Sequence, residues 1–213
     1  MIDLRHVDCM EYLATCEDNA FELAIVDPPY GGGVVFGDRM PEHEKLNKWN
    51  CAPSEEYFTE LKRVSKHQIV WGCNYFPQLG VGRIVWNKLG TDTTRRKQAA
   101  TFSDCELAYQ SFTKTVKMFS YTYIGNVVGN DYQIQWEQKR IHPTEKPVEL
   151  YEWLLINYGK EGDRILDTHL GSGSIAIACH KLGFDLVGCE LDKKYYDAAS
   201  NRLEKHKRQL RMF

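Results

Sequence analysis

The sequence predicts an α/β fold in which a mostly parallel, doubly wound sheet carries helices on both faces. Three observations predict it. Strand-like apolar runs alternate with amphipathic helix patterns, one apolar run stops at two prolines, and the C-terminal part reads strand, glycine-rich loop, helix, strand. Such sheets bind ligands at the carboxyl ends of their strands, so functional side chains are expected directly after strands.

Length and composition limit the class of protein. The chain has 213 residues, enough for one well-buried domain, and 43% of them are hydrophobic. No apolar run approaches membrane-spanning length and no signal-peptide pattern opens the chain, so we expect a cytoplasmic protein without a membrane contact. The formal net charge is −2, so nucleic acid would be bound by local patches. The seven cysteines lack zinc-ligand spacing, which predicts free thiols and no metal.

The N-terminal half contains five strand-like segments, at residues 2–7, 21–26, 67–72, 82–87 and 105–112. A helical turn at 8–14 follows the first of them. Ser54 caps a helix with an apolar face formed by Tyr57, Phe58, Leu61 and Val64. The stretch 31–50 is glycine-rich and then charged, and we interpret it as a loop beside the site.

The C-terminal half begins with Pro147, which fits the first turn of a helix that ends at Gly159. A strand at 164–167, a glycine loop, a helix up to Gly183 and a strand at 184–190 follow. Asp192 is expected to cap a last helix, with a fraying basic tail at 205–211.

The segment that ends the strand at 21–26 consists of Asp27, Pro28, Pro29 and Tyr30. Proline cannot continue a central strand, so the chain leaves the sheet here. The Asp27 carboxylate and the Pro28 carbonyl are acceptors for a planar amino group, and Tyr30 offers a ring on which a flat heterocycle can stack. This arrangement predicts a pocket for an aromatic amine such as adenine or cytosine. The simpler alternative is a proline-stiffened turn.

The C-terminal strand, glycine loop, helix and strand predict a nucleotide-binding unit. Gly171 and Gly173 allow the backbone to approach a ligand closely, and the following helix N-terminus can hold a carboxylate. Glu190 ends the next strand and suits the two hydroxyls of a ribose. The same glycine pattern also fits a dinucleotide-dependent oxidoreductase, an alternative that it leaves open.

Asp-Pro-Pro-Tyr resembles the catalytic motif of the S-adenosylmethionine-dependent amino-methyltransferases, which modify exocyclic nitrogens of DNA bases. The order of motifs, with 27–30 first, His-Pro-Thr-Glu-Lys-Pro at 142–147 next and the cofactor unit at 167–173 last, is similar to the circularly permuted beta class. The family's Asp-Pro-Phe-x-Gly-Ser-Gly is here Asp-Thr-His-Leu-Gly-Ser-Gly. The resemblance implies a Rossmann-like methyltransferase fold with a seven-stranded twisted sheet and a permuted motif order.

The resemblance also implies the domain plan and the site. One methyltransferase domain spans 1–213, with a catalytic half at 1–112, a small target-recognition insert at about 113–141 and a cofactor-binding half at 142–213. Asp27, Pro28, Pro29 and Tyr30 are then catalytic. S-adenosylmethionine is expected to contact Asp8, Cys9, Asp27, His142, Thr144, Lys146, Asp167, Gly171, Ser172, Gly173, Ser174 and Glu190. Within this set, Asp167 is expected near the cofactor's amino group and Glu190 on its ribose.

Contacts with double-stranded DNA are expected from basic side chains in flexible segments, since these suit phosphates. The candidates are Lys88, Arg95, Arg96, Lys97, Lys139 and Arg140. The stretch 118–140 is rich in Tyr, Asn and Gln, and it either reads base edges or forms an ordinary β-hairpin.

The predicted reaction is site-specific methyl transfer to the N6 amino group of a flipped adenine. By resemblance, Asp at the first motif position favours adenine N6 and Ser favours cytosine N4, so N4-cytosine is the alternative. Methylation of a ring carbon needs a thiolate from Pro-Cys, and none of the cysteines follows a proline. A silent DNA-binding module and an RNA substrate remain open. A homodimer and a companion restriction enzyme are compatible with the sequence, in a bacterial or phage-infected bacterial cell.

Overall fold

The computed structural model describes residues 1–31, 51–89, 103–124, 127–128, 133–134, 141–142 and 144–210. Several predictions lie outside these described residues: most of the loop at 31–50, the basic residues Arg95, Arg96, Lys97, Lys139 and Arg140, and most of the stretch 118–140 beyond residue 124.

The described elements alternate between strands and helices along the chain. The strands are β1 (Ile2–His6), β2 (Phe21–Val26), β3 (Ser65–Trp71), β4 (Arg83–Asn87), β5 (Cys105–Gln110), β6 (Val116–Ser120), β7 (Tyr123–Ile124), β8 (Val127–Val128), β9 (Gln133–Ile134), β10 (Arg164–Asp167) and β11 (Asp185–Glu190). The helices are α1 (Cys9–Ala14), α2 (Glu55–Val64), α3 (Val148–Tyr158), α4 (Ser174–Leu182) and α5 (Lys193–Leu210), with a 3₁₀ turn at Cys73–Tyr75.

Eight strands form the main sheet, in the order β1–β11–β10–β2–β3–β5–β4–β6. All neighbours are parallel except the β3–β5 and β5–β4 pairs. The predicted mostly parallel α/β sheet is therefore confirmed, but the count of seven strands is not. The eighth strand is β6, which pairs in parallel with β4 from Val116 to Ser120. This part of the predicted recognition insert lies in the main sheet, while β7, β8 and β9 form a small antiparallel sheet of their own.

Helices cover both faces of the sheet, as predicted. Along β2, Leu23 and Ile25 pack in a core that contains residues of α3, α4 and α5, whereas Ala24 and Val26 pack in a second core with α1 and α2. Burial on both faces explains why β2 reads as a continuous apolar run rather than an alternating one.

Helix ends follow the capping residues read from the sequence. Ser54 accepts from the Tyr57 N–H at 3.4 Å at the start of α2, and Asp192 accepts from the Lys194 N–H at 2.8 Å at the start of α5. Pro147 lies one residue before α3, as its N-cap. The basic tail does not fray at residue 205, because α5 continues to Leu210 with Leu203 buried against the sheet.

The topology places seven strand ends at one edge of the main sheet, including that of β6, whose Ser120 pairs with Asn87 at the end of β4. The parallel strands β1, β2, β3, β10 and β11 all end there, and so does β4. The antiparallel strand β5 begins there, because Asn87 pairs with Cys105 at the end of β4. Side chains that are far apart in the sequence therefore meet at this edge. No helix among the described residues is long and apolar enough to cross a membrane.

Candidate active site

Asp27 follows the last residue of β2 and has a partner on each carboxylate oxygen. The Tyr30 hydroxyl donates to Oδ1 at 2.7 Å, and Nζ of Lys146 donates to Oδ2. Lys146 belongs to the segment that leads into α3, 119 residues further along the chain. The fold thus joins the Asp-Pro-Pro-Tyr segment to the His-Pro-Thr-Glu-Lys-Pro segment through a direct ion pair.

The Tyr30 ring is held by an aromatic cluster beyond the end of β3. It stacks on Tyr75 with a centroid distance of 5.0 Å and meets Phe76 edge-on at 6.3 Å. Gly72 turns the chain with φ +69°, and a Cβ atom at this position would overlap the Tyr30 ring. Burial, with the nearby Asp27 charge, raises the pKa of Tyr30 well above its usual value, so the hydroxyl remains a donor.

Lys146 lies between two carboxylates. Its side chain is 3% exposed, and Nζ lies 3.3 Å from Oε2 of Glu106 in addition to its contact with Asp27. The indole of Trp71 faces the same ammonium at 5.4 Å. Burial lowers the pKa of Lys146, but the two carboxylates outweigh this effect and the pKa is raised overall. The group is therefore an ammonium at neutral pH.

Glu106 is in turn neutralised by Lys88, whose Nζ lies 3.0 Å from Oε1. Burial raises the pKa of Glu106, but the ammonium groups of Lys146 and Lys88 outweigh burial and lower it. The Lys88 side chain is 15% exposed and pairs with Glu106 in the site. Its contact with DNA phosphate stays a prediction.

A cavity of about 290 Å³ opens beside these groups. Twelve of the residues predicted for the site line it: Asp8, Cys9, Asp27, Pro28, Pro29, Tyr30, His142, Thr144, Lys146, Gly171, Ser172 and Glu190. Residues from both halves of the chain thus share one cavity. Burial, with the nearby Asp8 charge, raises the pKa of the Cys9 thiol to about 11, so the thiol is uncharged at neutral pH.

Three residues predicted to contact a cofactor do not line the cavity: Asp167, Gly173 and Ser174. Asp167 is buried and accepts from the His169 N–H at 3.0 Å, and burial raises its pKa to about 7. A Cβ atom on Gly173 would meet Cβ of Ala199 at 2.9 Å. Ser174 Oγ accepts from Arg202 Nη1 at 3.0 Å. The last two residues pack the loop against α5.

Glu190 closes the other end of the site. Its Oε2 accepts from the Gly171 N–H at 2.8 Å and its Oε1 accepts from the Asp192 N–H at 2.9 Å. Each carboxylate oxygen has a second lone pair, so both can still accept from hydroxyl groups of a ligand. This geometry fits a ribose diol.

Two neutral imidazoles also line the cavity. Burial lowers the pKa of both His142 and His169 to about 4. Nδ1 of His169 lies 2.8 Å from Oγ1 of Thr168, which is 2.7 Å from the Tyr57 hydroxyl. This chain of hydrogen bonds fixes the orientation of a ring that stands where the resembled family has Phe.

Three residues of the site were not predicted from the sequence. Glu106 pairs with Lys146, and Tyr151 and His169 line the cavity. Glu106 had no local signal, because the alternation in β5 makes Leu107 and Tyr109 the apolar face, and the burial of Ala108 and Gln110 on the other face is a result of the fold. A carboxylate on that buried face needs a cationic partner. Tyr151 had no signal either, since it reads as an ordinary aromatic residue of α3.

Known proteins resemble this chain in sequence and fold. A family model described as DNA methylase matches residues 86–201, more than half of the chain. The type II methyltransferase M.HpaI of Haemophilus parainfluenzae is 27% identical over 92% of this chain and 72% of its own length. The type II methyltransferase M.HinfI of Haemophilus influenzae is 25% identical over 94% of this chain and 67% of its own length.

Two solved structures share the fold. The M1.HpyAVI–SAM complex has a TM-score of 0.59 and 19% identity, covering 95% of this chain and 100% of that one. The cytosine-N4-specific PvuII DNA methyltransferase has a TM-score of 0.57 and 13% identity, and the match covers 97% of this chain and 90% of that one. At these identities the likeness concerns the fold alone.

Proposed function

The chain belongs to the N6/N4 DNA methylase family, and we propose that it transfers a methyl group from S-adenosylmethionine to the N6 amino group of adenine in double-stranded DNA. The observation that carries this proposal is the shared cavity, which unites Asp27–Tyr30 with the loop around Gly171 and with Glu190. One end offers acceptors for an amino group, and the other offers acceptors for a ribose.

The residues of the cavity fit S-adenosylmethionine. Glu190 would accept from the ribose hydroxyls, and Asp8 and the neutral His142 and His169 would offer further hydrogen bonds. Neutral imidazoles suit a cationic sulfonium better than imidazolium rings, because like charges at short range repel. When bound, the cofactor supplies an electrophilic methyl group.

Asp27 and Pro28 would act on the target base. The Asp27 carboxylate and the Pro28 carbonyl accept from the two N–H bonds of the amino group, which favours a nitrogen with a free lone pair. Tyr30 holds Asp27 in place through its hydrogen bond to Oδ1. The proton that leaves the alkylated nitrogen passes to Asp27 or to solvent. Alignment and preorganised charge supply most of the acceleration.

Support for adenine comes from Asp27 at the first position of the catalytic motif. Cytosine N4 is the second candidate, because the family covers both bases and a structural neighbour is cytosine-N4-specific. The beta-class order is supported by the sheet, where β10 of the cofactor unit follows β2 in the sequence but pairs directly beside it. The family assignment favours methyl transfer over the oxidoreductase alternative.

The test is transfer of labelled methyl from S-adenosylmethionine to unmethylated bacterial DNA, followed by nucleoside analysis. N6-methyladenine is the expected product. N4-methylcytosine as the product would support the proposed methyl transfer but show that cytosine, and not adenine, is the target base. Binding of S-adenosylmethionine without any incorporation into DNA would contradict the proposal and direct the search to RNA or to a silent module.

A further inference from the structure

We propose that Glu106 is a positioning residue that holds the Lys146 ammonium while the target amino group takes the Asp27 oxygen that Lys146 occupies. This inference rests on the function proposed above. It assigns a role to a carboxylate outside the catalytic motif, in a strand that the sequence reads only as part of the sheet.

The need for such a residue follows from the contacts of Asp27. Its Oδ1 accepts from Tyr30 and its Oδ2 accepts from Lys146. Each oxygen keeps a second lone pair, but the Lys146 ammonium neutralises the carboxylate and makes Oδ2 a weaker acceptor, so an arriving amino group competes with a donor that is already in place. The Lys146 ammonium is the stronger competitor, because it is charged and a base amino group is neutral.

Release of Lys146 from Asp27 would be costly without a second anion. The side chain is 3% exposed, so water cannot replace the lost partner. A buried ammonium without a counter-ion is strongly unfavourable. Glu106 removes this problem, because its Oε2 already lies 3.3 Å from Nζ. The ammonium needs only a small shift to exchange one carboxylate for the other.

The groups around Glu106 and Lys146 stabilise the charges that take part in this exchange. Lys88 pairs with its other oxygen at 3.0 Å, so charges alternate from Asp27 through Lys146 and Glu106 to Lys88. The Trp71 ring lies 5.4 Å from Nζ of Lys146 and stabilises the cation between the two acids. Moving the ammonium along this row keeps the cation paired, while Asp27 keeps the Tyr30 hydroxyl and gains the target amino group as hydrogen-bond donors.

The experiment is a double-mutant cycle on single-turnover methyl transfer, with Glu106→Gln, Lys146→Gln and the double variant. We expect Glu106→Gln alone to slow transfer about 10- to 100-fold, because the ammonium then stays on Asp27. The affinity for S-adenosylmethionine should change far less. In the Lys146→Gln background, Glu106→Gln should change the rate less than about 2-fold, because the group on which it acts is gone.

The pH profile gives a readout that a purely structural role would not move. Without Glu106 the ammonium has one anion less, so it loses its proton at lower pH than in the wild type. Transfer by Glu106→Gln should therefore recover relative to the wild type as the pH is raised. A rate ratio that stays constant with pH, or additive effects in the cycle, would overturn the proposal.

Two controls separate the possible failures. The control variant Glu22→Gln removes a carboxylate that also pairs with a lysine, at 3.0 Å, but near the start of β2 and away from the site. This variant should transfer methyl groups at the wild-type rate. If Glu106→Gln does not fold, Glu106→Asp keeps the charge with a shorter reach and should show a smaller loss that again requires Lys146. A wild type that transfers nothing to DNA would refute the proposed function as well, whereas additivity in an active enzyme refutes only this inference.

Discussion

Single residues in this site act through the partners that the fold gives them. The Asp27 carboxylate accepts hydrogen bonds from two donors. The Tyr30 ring occupies space that a side chain at Gly72, more than forty residues away in the sequence, would fill. The proposed catalytic motif is therefore only part of the geometry of the site. The groups that hold it come from β3, β5 and the segment before α3.

Asp27→Asn tests the acceptor role with little change in shape. We expect methyl transfer to fall about 10²-fold or more, because an amide is a weaker acceptor and places an NH2 group in the site. Lys146 keeps Glu106 as a partner, so the protein should remain folded and bind S-adenosylmethionine. Rates and calorimetric affinities measured on the same preparations check this, and near-normal turnover would show that the catalytic assignment is wrong.

Gly72→Ala tests the support of the Tyr30 ring. Its new Cβ atom would overlap that ring at a backbone angle of φ +69°, so we expect a loss of roughly 2–5 kcal/mol in unfolding free energy and a strong loss of transfer. Gly162→Ala is the matched control, because Gly162 has φ +86° but no atom within 4 Å of the added Cβ. It should cost about 1–2 kcal/mol and leave activity intact. Equal losses in both variants would mean that backbone strain alone explains the effect.

At the scale of elements, the loop between β10 and α4 is divided between ligand and scaffold. Gly171 and Ser172 line the cavity, whereas Gly173 lies against α5. The glycine-rich motif thus serves two purposes. One part of it allows a ligand to approach, and another lets two helices pack closely behind it.

Gly173→Ala should therefore weaken the packing of α4 on α5 before it affects ligand binding. The added Cβ would meet Cβ of Ala199 at 2.9 Å, and φ +72° adds backbone strain, so we expect a loss of roughly 2–4 kcal/mol in unfolding free energy. The companion change Ala199→Gly should restore part of that loss. Denaturant unfolding of the two variants measures the effect. A stable Gly173→Ala protein that no longer binds S-adenosylmethionine would instead favour direct contact with the cofactor.

At the scale of the whole molecule, burial shifts the pKa values of several groups, and these shifts have opposite effects on how stability depends on pH. Burial sets the pKa of His169 at about 4, against an ordinary value of 6.5. The unfolded chain therefore takes up a proton between about pH 6.5 and 4 that the folded protein does not, and stability falls as the pH is lowered through this window. His142 acts in the same direction. Asp167, with a pKa of about 7, opposes them, because its contribution is present below about pH 3.8 and is lost as the pH rises towards 7.

His169→Phe isolates one of these contributions. The free energy of unfolding should fall less steeply between pH 6.5 and 4 than in the wild type, by roughly 3 kcal/mol at most over the window. Urea unfolding at several pH values gives both slopes. Parallel slopes would show that His169 does not titrate differently in the folded and unfolded protein.

The sequence alone determined most of the elements and placed two groups of candidate site residues directly after strands, and the structure brings these groups into one cavity. The prolines after β2, the caps Ser54 and Asp192 and the glycine loop are local signals, because turn and cap chemistry depends on neighbouring residues. The α/β class followed from the alternation of strand and helix patterns. The Asp-Pro-Pro-Tyr motif pointed to the DNA amino-methyltransferases, and the family match supports this.

Only the tertiary structure decided how distant residues meet. Lys88, predicted as a phosphate contact, pairs with Glu106, because antiparallel β5 begins where β4 ends. Gly173, predicted as a ligand contact, packs against Ala199, and β6 forms an eighth strand of the main sheet. Strand order and helix packing are long-range properties that no local spacing of residues encodes, so the row of charges from Asp27 to Lys88 becomes visible only in the folded protein.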